Sequence, residues 1–216
     1  MKSYGPTSLI KIKDNHLLDL QISAIKKAFS QYEIVLCVGF DADKITKYIR
    51  AKYSKLNIRI VENQMFNSCN SCEGARLSIN NTLNDKILFM DGNLLISHKA
   101  LLCVDTSKNC VLMEKNPIEN LEIGINIDDE NKAQYFSFGA YQTWSEVFFV
   151  NGYESIEDMR KFLSHNDSKK KFVFEAINDL LKKHDIHCIE NTHQIHKINN
   201  IKTYHHIKEN HEILNF

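Results

Sequence analysis

Three short apolar runs, Glu33-Ile-Val-Leu-Cys-Val-Gly39, Asn57-Ile-Arg-Ile-Val61 and Lys86-Ile-Leu-Phe-Met-Asp91, alternate with segments whose apolar residues recur every three or four positions. Leu17, Leu18, Ile22, Ile25 and Phe29 fall at helical spacing before the first run, and Ile45, Tyr48, Ile49 and Tyr53 before the second. Asp41 stands where it could cap that second helix. Residues 70–81 suit a third, with Ala75 and Leu77 turned inward. A continuous apolar run bounded by turn formers is a strand buried on both faces, and strands alternating with helices make βαβ units. The expected class is α/β, with a Rossmann-like, mostly parallel sheet flanked by helices.

Beyond residue 100 the pattern changes. Cys110-Val-Leu-Met-Glu114, Leu121-Glu-Ile-Gly-Ile-Asn-Ile127, Ala133-Gln-Tyr-Phe-Ser-Phe138 and Glu146-Val-Phe-Phe-Val150 are strands separated by turn signals, so this part is mixed or antiparallel. Helices are expected at about 154–164 and 171–184, then a strand over 186–190 and a closing helix from about 201. With two prolines and no low-complexity segment, one domain spanning 1–216 is the economical reading.

The charges narrow the function. Lys+Arg and Asp+Glu both number 27, so no global field draws the chain to nucleic acid or to an anionic membrane. No run approaches the roughly 20 apolar residues of a spanning helix, and a cytoplasmic protein without membrane insertion is expected. Cys37, Cys103, Cys110 and Cys188 sit in apolar runs as small buried hydrophobes. Cys69 and Cys72 form a C-x-x-C, but neither a second pair at zinc spacing nor a thioredoxin-like context accompanies it. His193, His196, His205, His206 and His211 are irregularly spaced, as in a polar tail rather than a zinc site.

Asp91-Gly92-Asn93 is the one place where a buried strand ends abruptly in an acid, a glycine and an amide. In open α/β sheets ligands bind at the carboxyl ends of strands. An acid there can hold a divalent cation against phosphate oxygens, although the same tripeptide also makes an ordinary turn.

The ordered series of segments resembles the NTP-transferase-like proteins, most closely their sugar-nucleotide and phosphocholine cytidylyltransferase branch. Ser8 to Ile22 is similar to the segment that follows the family's glycine-rich loop, and residues 34–39 to its second strand. Val61-Glu-Asn63 with Asn70 and Ser71 match its strand-to-asparagine connection, Phe89-Met-Asp-Gly-Asn93 its metal-bearing strand, and residues 194–204 its closing element. The likeness spans essentially the whole chain and lies in the order of the pieces.

The resemblance implies transfer of a nucleotidyl group from an NTP, CTP favoured, to a phosphorylated sugar or headgroup such as phosphocholine, with release of pyrophosphate and with magnesium as cofactor. It assigns Asp91 and Asn93 to catalysis, Asn70 and Ser71 to nucleotide binding, Trp144 and Glu175 to the acceptor, and Asp91, Asn93 and Asn199 to the metal. Trp144 could equally be core, and Glu175 an exposed helical residue.

Departures accompany it. The family's glycine-rich loop and first strand would precede Met1, so Met1 is expected to be an internal methionine or the domain a decayed one. Thr7 follows Pro6 where the family has lysine, and Asn93 and Asn199 fall where it has acids. The expectation is a nucleotidyltransferase inactive or impaired in this form. A glycosyltransferase reading 91–93 as a degraded D-x-D, and a non-catalytic nucleotide-binding or scaffold remnant, stay open, as does a homo-oligomer.

Overall fold

A computed structural model describes residues 4–114 and 122–210; Met1, Leu121 and His211, named above, lie outside them. A short hairpin, β1 (Lys11–Ile12) and β2 (Asn15–His16), leads into α1 (Leu17–Ala28). Then follow β3 (Ile34–Val38), α2 (Ala42–Lys52), β4 (Ile58–Glu62), α3 (Ser71–Ile79), β5 (Lys86–Met90), β6 (Leu94–Ile96) and α4 (His98–Leu102). The second half runs β7 (Cys110–Glu114), β8 (Ile123–Ile127), β9 (Ala133–Phe138), β10 (Gln142–Asn151), α5 (Tyr153–Leu163), α6 (Val173–Leu181), β11 (His187–Glu190), β12 (Ile195–Lys197) and α7 (Ile201–Glu209).

The α/β class read from the sequence holds, with parallel pairing confined to two places: β3 beside β4 and β11 beside β7. The long β10 enters antiparallel between β5 and β7 and extends onto β8, which carries β9, so the six-stranded sheet is mostly antiparallel. β12 pairs with β6 and carries the tail back to the end of β5. Among the described residues no helix is long and apolar enough to cross a membrane.

Burial explains these pairings. β5 alternates cleanly: Ile87 and Phe89 pack with α3, α5 and α6, whereas Leu88 and Met90 pack with α1 and α4. Leu18 and Ile22 of α1 reach in the other direction, to Val38 of β3 and to Ile45 and Ile49 of α2. Helix α1 thereby straddles the two sheets.

Asp19 fastens α1 to α2. It is 6% exposed and accepts hydrogen bonds from Tyr53 Oη at 2.6 Å, Tyr48 Oη at 2.7 Å, Lys52 Nζ at 2.7 Å and the His16 amide at 3.1 Å. Burial pushes its pKa up, but Lys52, the two tyrosines and the amide outweigh that and hold it at about 2. Because the folded value lies below the unfolded one, this contribution is present above about pH 4 and is lost as pH falls through 2. Asp19→Asn should cost about 2–3 kcal/mol at pH 7 and flatten the acid limb of a urea-midpoint profile against pH.

Two sequence expectations change. Asp41 does precede α2, but in a left-handed conformation (φ 54°) with no side-chain cap; its carboxylate pairs with Lys44 at 2.5 Å instead. The third helix stops at Ile79, where Asn80 and Asn81 turn the chain, so the 70–81 reading ran two residues long.

Candidate functional site

The carboxyl ends of β3 and β5 open onto one cavity of about 520 Å³, lined by Val35 to Gly39, Asn63, Asn70, Ser71, Asp91, Gly92, Trp144 and Glu146 among others. Gly39 is required at its wall: an added Cβ would lie 2.5 Å from Phe66 Cβ, and Phe66 covers the end of β3.

Asn70 and Ser71 both line the cavity, and each is also tied to the scaffold by one side-chain hydrogen bond. Asn70 Nδ2 donates to the Lys170 carbonyl at 2.5 Å, and Ser71 Oγ accepts from the Val173 amide at 2.8 Å, so the start of α3 is tied to the start of α6. Asn63, which the sequence reading passed over as a connector, is 8% exposed and closes the loop through its Oδ1 to the Met65 amide.

Asp91 ends β5 beside Glu146, a residue the sequence reading placed at the start of a plain strand. The pairing of β10 with β7 shifts between Trp144 and Phe148, and within that bulge Glu146 adopts φ 56°. Trp144 Nε1 closes the bulge by donating to the Val147 carbonyl at 3.3 Å. Bulges re-aim side chains; this one brings Glu146 to the cavity wall. Lys197, from β12, meets Glu146 at 2.5 Å, and both are largely buried. Gln21 of α1, 3% exposed, clamps the turn by donating to the carbonyls of Leu94 at 2.8 Å and Asp91 at 3.2 Å.

Burial and the neighbouring Glu146 push the Asp91 pKa up to about 7, with Lys197 only partly opposing them. Here the folded value lies above the unfolded one, so this group's contribution falls as pH rises from about 4 to 7. Asp91→Asn should therefore be more stable than the parent at pH 8, by on the order of 1–3 kcal/mol, and indistinguishable from it at pH 4. Equal melting shifts at both pH values would contradict the placement of Asp91 against Glu146.

Asn93 and Asn199, 106 positions apart, are brought together. Asn93 Nδ2 donates to Asn199 Oδ1 at 2.8 Å, and the Ile198 amide donates to the Asn93 carbonyl at 3.0 Å. Asn93 Oδ1 is buried without a hydrogen-bond partner among the described residues. Two amides can meet in this way; two carboxylates could do so only by sharing a proton or with a cation between them.

These residues do not fit a magnesium ion. Magnesium is held in a strict octahedron by one or two ionised carboxylates together with water and phosphate oxygens, whereas Asn93 and Asn199 offer uncharged amides bonded to each other and Glu146 is paired with Lys197, so that at most Asp91 could offer a charge. No group of three or more His, Cys, Asp or Glu side chains placed for a metal occurs among the described residues. Cys69 and Cys72 are free thiols, and burial pushes Cys72 up to about 12.

The two acceptor candidates separate from the cleft chemistry. Trp144 touches the cavity but is 3% exposed and packs edge-on against Phe136 at 5.4 Å, as a core residue. Glu175 does not line the cavity; its Oε2 accepts from the Phe172 amide at 2.8 Å, and it is committed to the first turn of α6. An acid in the third position of a helix satisfies an otherwise orphaned amide.

The fold is that of the NTP transferases. It is shared with CTP:phosphocholine cytidylyltransferase from Streptococcus pneumoniae (LicC) at TM-score 0.74 and 17% identity, covering 94% of this chain and 89% of that one. The nucleoside-diphosphate-sugar pyrophosphorylase from Vibrio cholerae RC9 gives TM-score 0.76 at 10% identity, over 95% and 92% of the two chains. The inositol-1-phosphate CTP transferase from T. maritima gives 0.76 at 12%, over 92% and 82%. Residues 9–150 match the model of the family described as Domain of unknown function (DUF6564), and the chain belongs to that family. No curated protein matches it in sequence.

Proposed function

We propose that this chain is a nucleotidyltransferase-type domain that binds an NTP, CTP favoured, at the carboxyl ends of β3 and β5, beside a phosphorylated sugar or headgroup, and whose transfer chemistry is silenced. The observation that carries this reading is the Asn93–Asn199 amide pair at 2.8 Å, at the two positions where the resembling family has acids. Nucleotidyl transfer depends on aligning the attacking phosphate with the α-phosphorus and on neutralising charge as pyrophosphate leaves. A cation held by acids supplies that neutralisation. The amide pair supplies none, and Lys197 is already matched by Glu146.

In this reading the neutral amides tolerate a bound nucleotide but give the leaving pyrophosphate no compensation. Support comes from the cavity at the carboxyl edge of the sheet and from solved structures of this fold whose names specify CTP or sugar-nucleotide substrates. The test is calorimetry with four NTPs, with magnesium or with EDTA, alongside a pyrophosphate-release assay with phosphocholine and sugar 1-phosphates. Expected are binding that magnesium changes by less than about threefold and no pyrophosphate above the blank. Magnesium-dependent turnover would overturn the silencing, and no binding by any NTP would overturn the nucleotide site.

A further inference from the structure

Among the described residues, the charged side chains on the cavity wall are both acids, Asp91 and Glu146; no lysine, arginine or histidine lines it. The start of α3, which also borders the cavity, has little to offer an anion. The amides of Asn70, Cys72 and Glu73 are spent on the carbonyls of Lys169, Lys171 and Asn70 at 2.8, 3.3 and 3.1 Å. A polyphosphate bound here without a metal needs a positive partner from elsewhere, because an anion that leaves water unpaired loses hydration that nothing replaces.

Lys197 is the cation that reaches this wall. It stands on β12 opposite Leu94, one residue before Ile198, whose amide bonds the Asn93 carbonyl, and two before Asn199. Its ammonium meets Glu146 Oε1 at 2.5 Å. Glu146 is held there under strain: φ 56° is a backbone conformation that residues with a side chain rarely adopt, and such strain persists where the surrounding structure enforces it, as at ligand sites. Its second oxygen, Oε2, is buried without a hydrogen-bond partner among the described residues, so the carboxylate is incompletely satisfied. In a largely buried ion pair, desolvation offsets much of the attraction. A phosphate, which carries more charge than a carboxylate, can therefore compete for an ammonium that sits on a flexible four-carbon stem and has three donors.

We infer that Lys197 is this site's own cation, in place of the metal that its residues do not fit: the ammonium passes from Glu146 to a phosphate of the bound nucleotide, and Glu146, by competing for it, weakens that binding. Lys197 has this role only if the nucleotide reading above holds. The exchange gives the ammonium a new partner but adds no positive charge to the site, so a leaving pyrophosphate still goes uncompensated and transfer stays silent. Glu146 thus acts on the ligand through Lys197, as a positioning residue.

The test is calorimetry in EDTA with CTP, and with cytidine, which lacks phosphate, on the parent chain, Glu146→Gln and Glu146→Gln/Lys197→Met. The double variant replaces the ion pair by uncharged side chains of similar length, so it leaves no unpaired buried charge to prevent folding. Glu146→Gln should bind CTP roughly tenfold more tightly than the parent, and adding Lys197→Met should return the affinity to the parent value or below. Cytidine should bind all three alike, within about twofold; damage to the cavity would change it. Equal CTP affinity of Glu146→Gln and the double variant would overturn the inference, because Glu146 would then repel phosphate directly and Lys197 would take no part. Cytidine affinities that change in parallel with those of CTP would overturn it too. A Glu146→Gln chain that binds CTP no more tightly than the parent would overturn it and leave the nucleotide site standing, whereas no CTP binding by any of the three chains would overturn both.

Discussion

Replacing Asn93 and Asn199 together by aspartate should make CTP binding depend on magnesium by about a hundredfold, where the parent shows almost none. The two side chains already face each other at 2.8 Å. Two ionised carboxylates at that separation repel until a proton or a cation lies between them, so above neutral pH the variant should also be less stable than the parent in EDTA and regain that loss as magnesium is added. The melting temperature of the double variant should rise steadily with magnesium while that of the parent stays level. Neither single variant should do this fully, because one acid opposite one amide lacks both the repulsion and the second charged ligand. A double variant whose stability and CTP affinity both ignore magnesium would show that these positions do not face a common cation site.

Trp144→Ala should destabilise the fold by about 3–5 kcal/mol, the range for emptying an aromatic position in a packed core. The indole is 3% exposed, meets Phe136 edge-on at 5.4 Å and closes the β10 bulge through the Val147 carbonyl. Loss of that hydrogen bond also frees the bulge that presents Glu146, so nucleotide affinity should fall together with stability. Trp144→Phe, which keeps most of the packing but not the donor, should recover more than half of the stability. Urea midpoints for the two variants check this; an acceptor-binding residue with no structural role would leave both midpoints at the parent value.

The parts of this molecule that could be read from the sequence are those governed by local pattern. The run ending at Asp91 formed the strand expected of it because four apolar residues between turn formers have no better use, and α1, α2 and α3 followed their helical spacing. The meeting of Asn93 with Asn199 was anticipated only through the resemblance, since nothing local to residue 199 announces a partner at residue 93. Glu146 was missed because its position depends on a register shift in β10 opposite β7, which alternation cannot reveal. Lys197 and Gln21 were missed for the same reason: the pairing of β12 with β6 and the packing of α1 decide where they point. Glu175, for which the sequence left both an acceptor role and an ordinary helical role open, accepts from the Phe172 amide at the start of α6.

In the proposed function the cleft at the ends of β3 and β5 takes a nucleotide without a metal. The direct measurement is a titration of the parent chain with CTP in EDTA, followed by residue-resolved amide NMR shifts. Expected are saturable shifts at Gly39, Asn63, Asn70, Asp91 and Asn93, little changed when magnesium replaces EDTA. Shifts elsewhere on the molecule, or shifts at these residues only when magnesium is present, would contradict it.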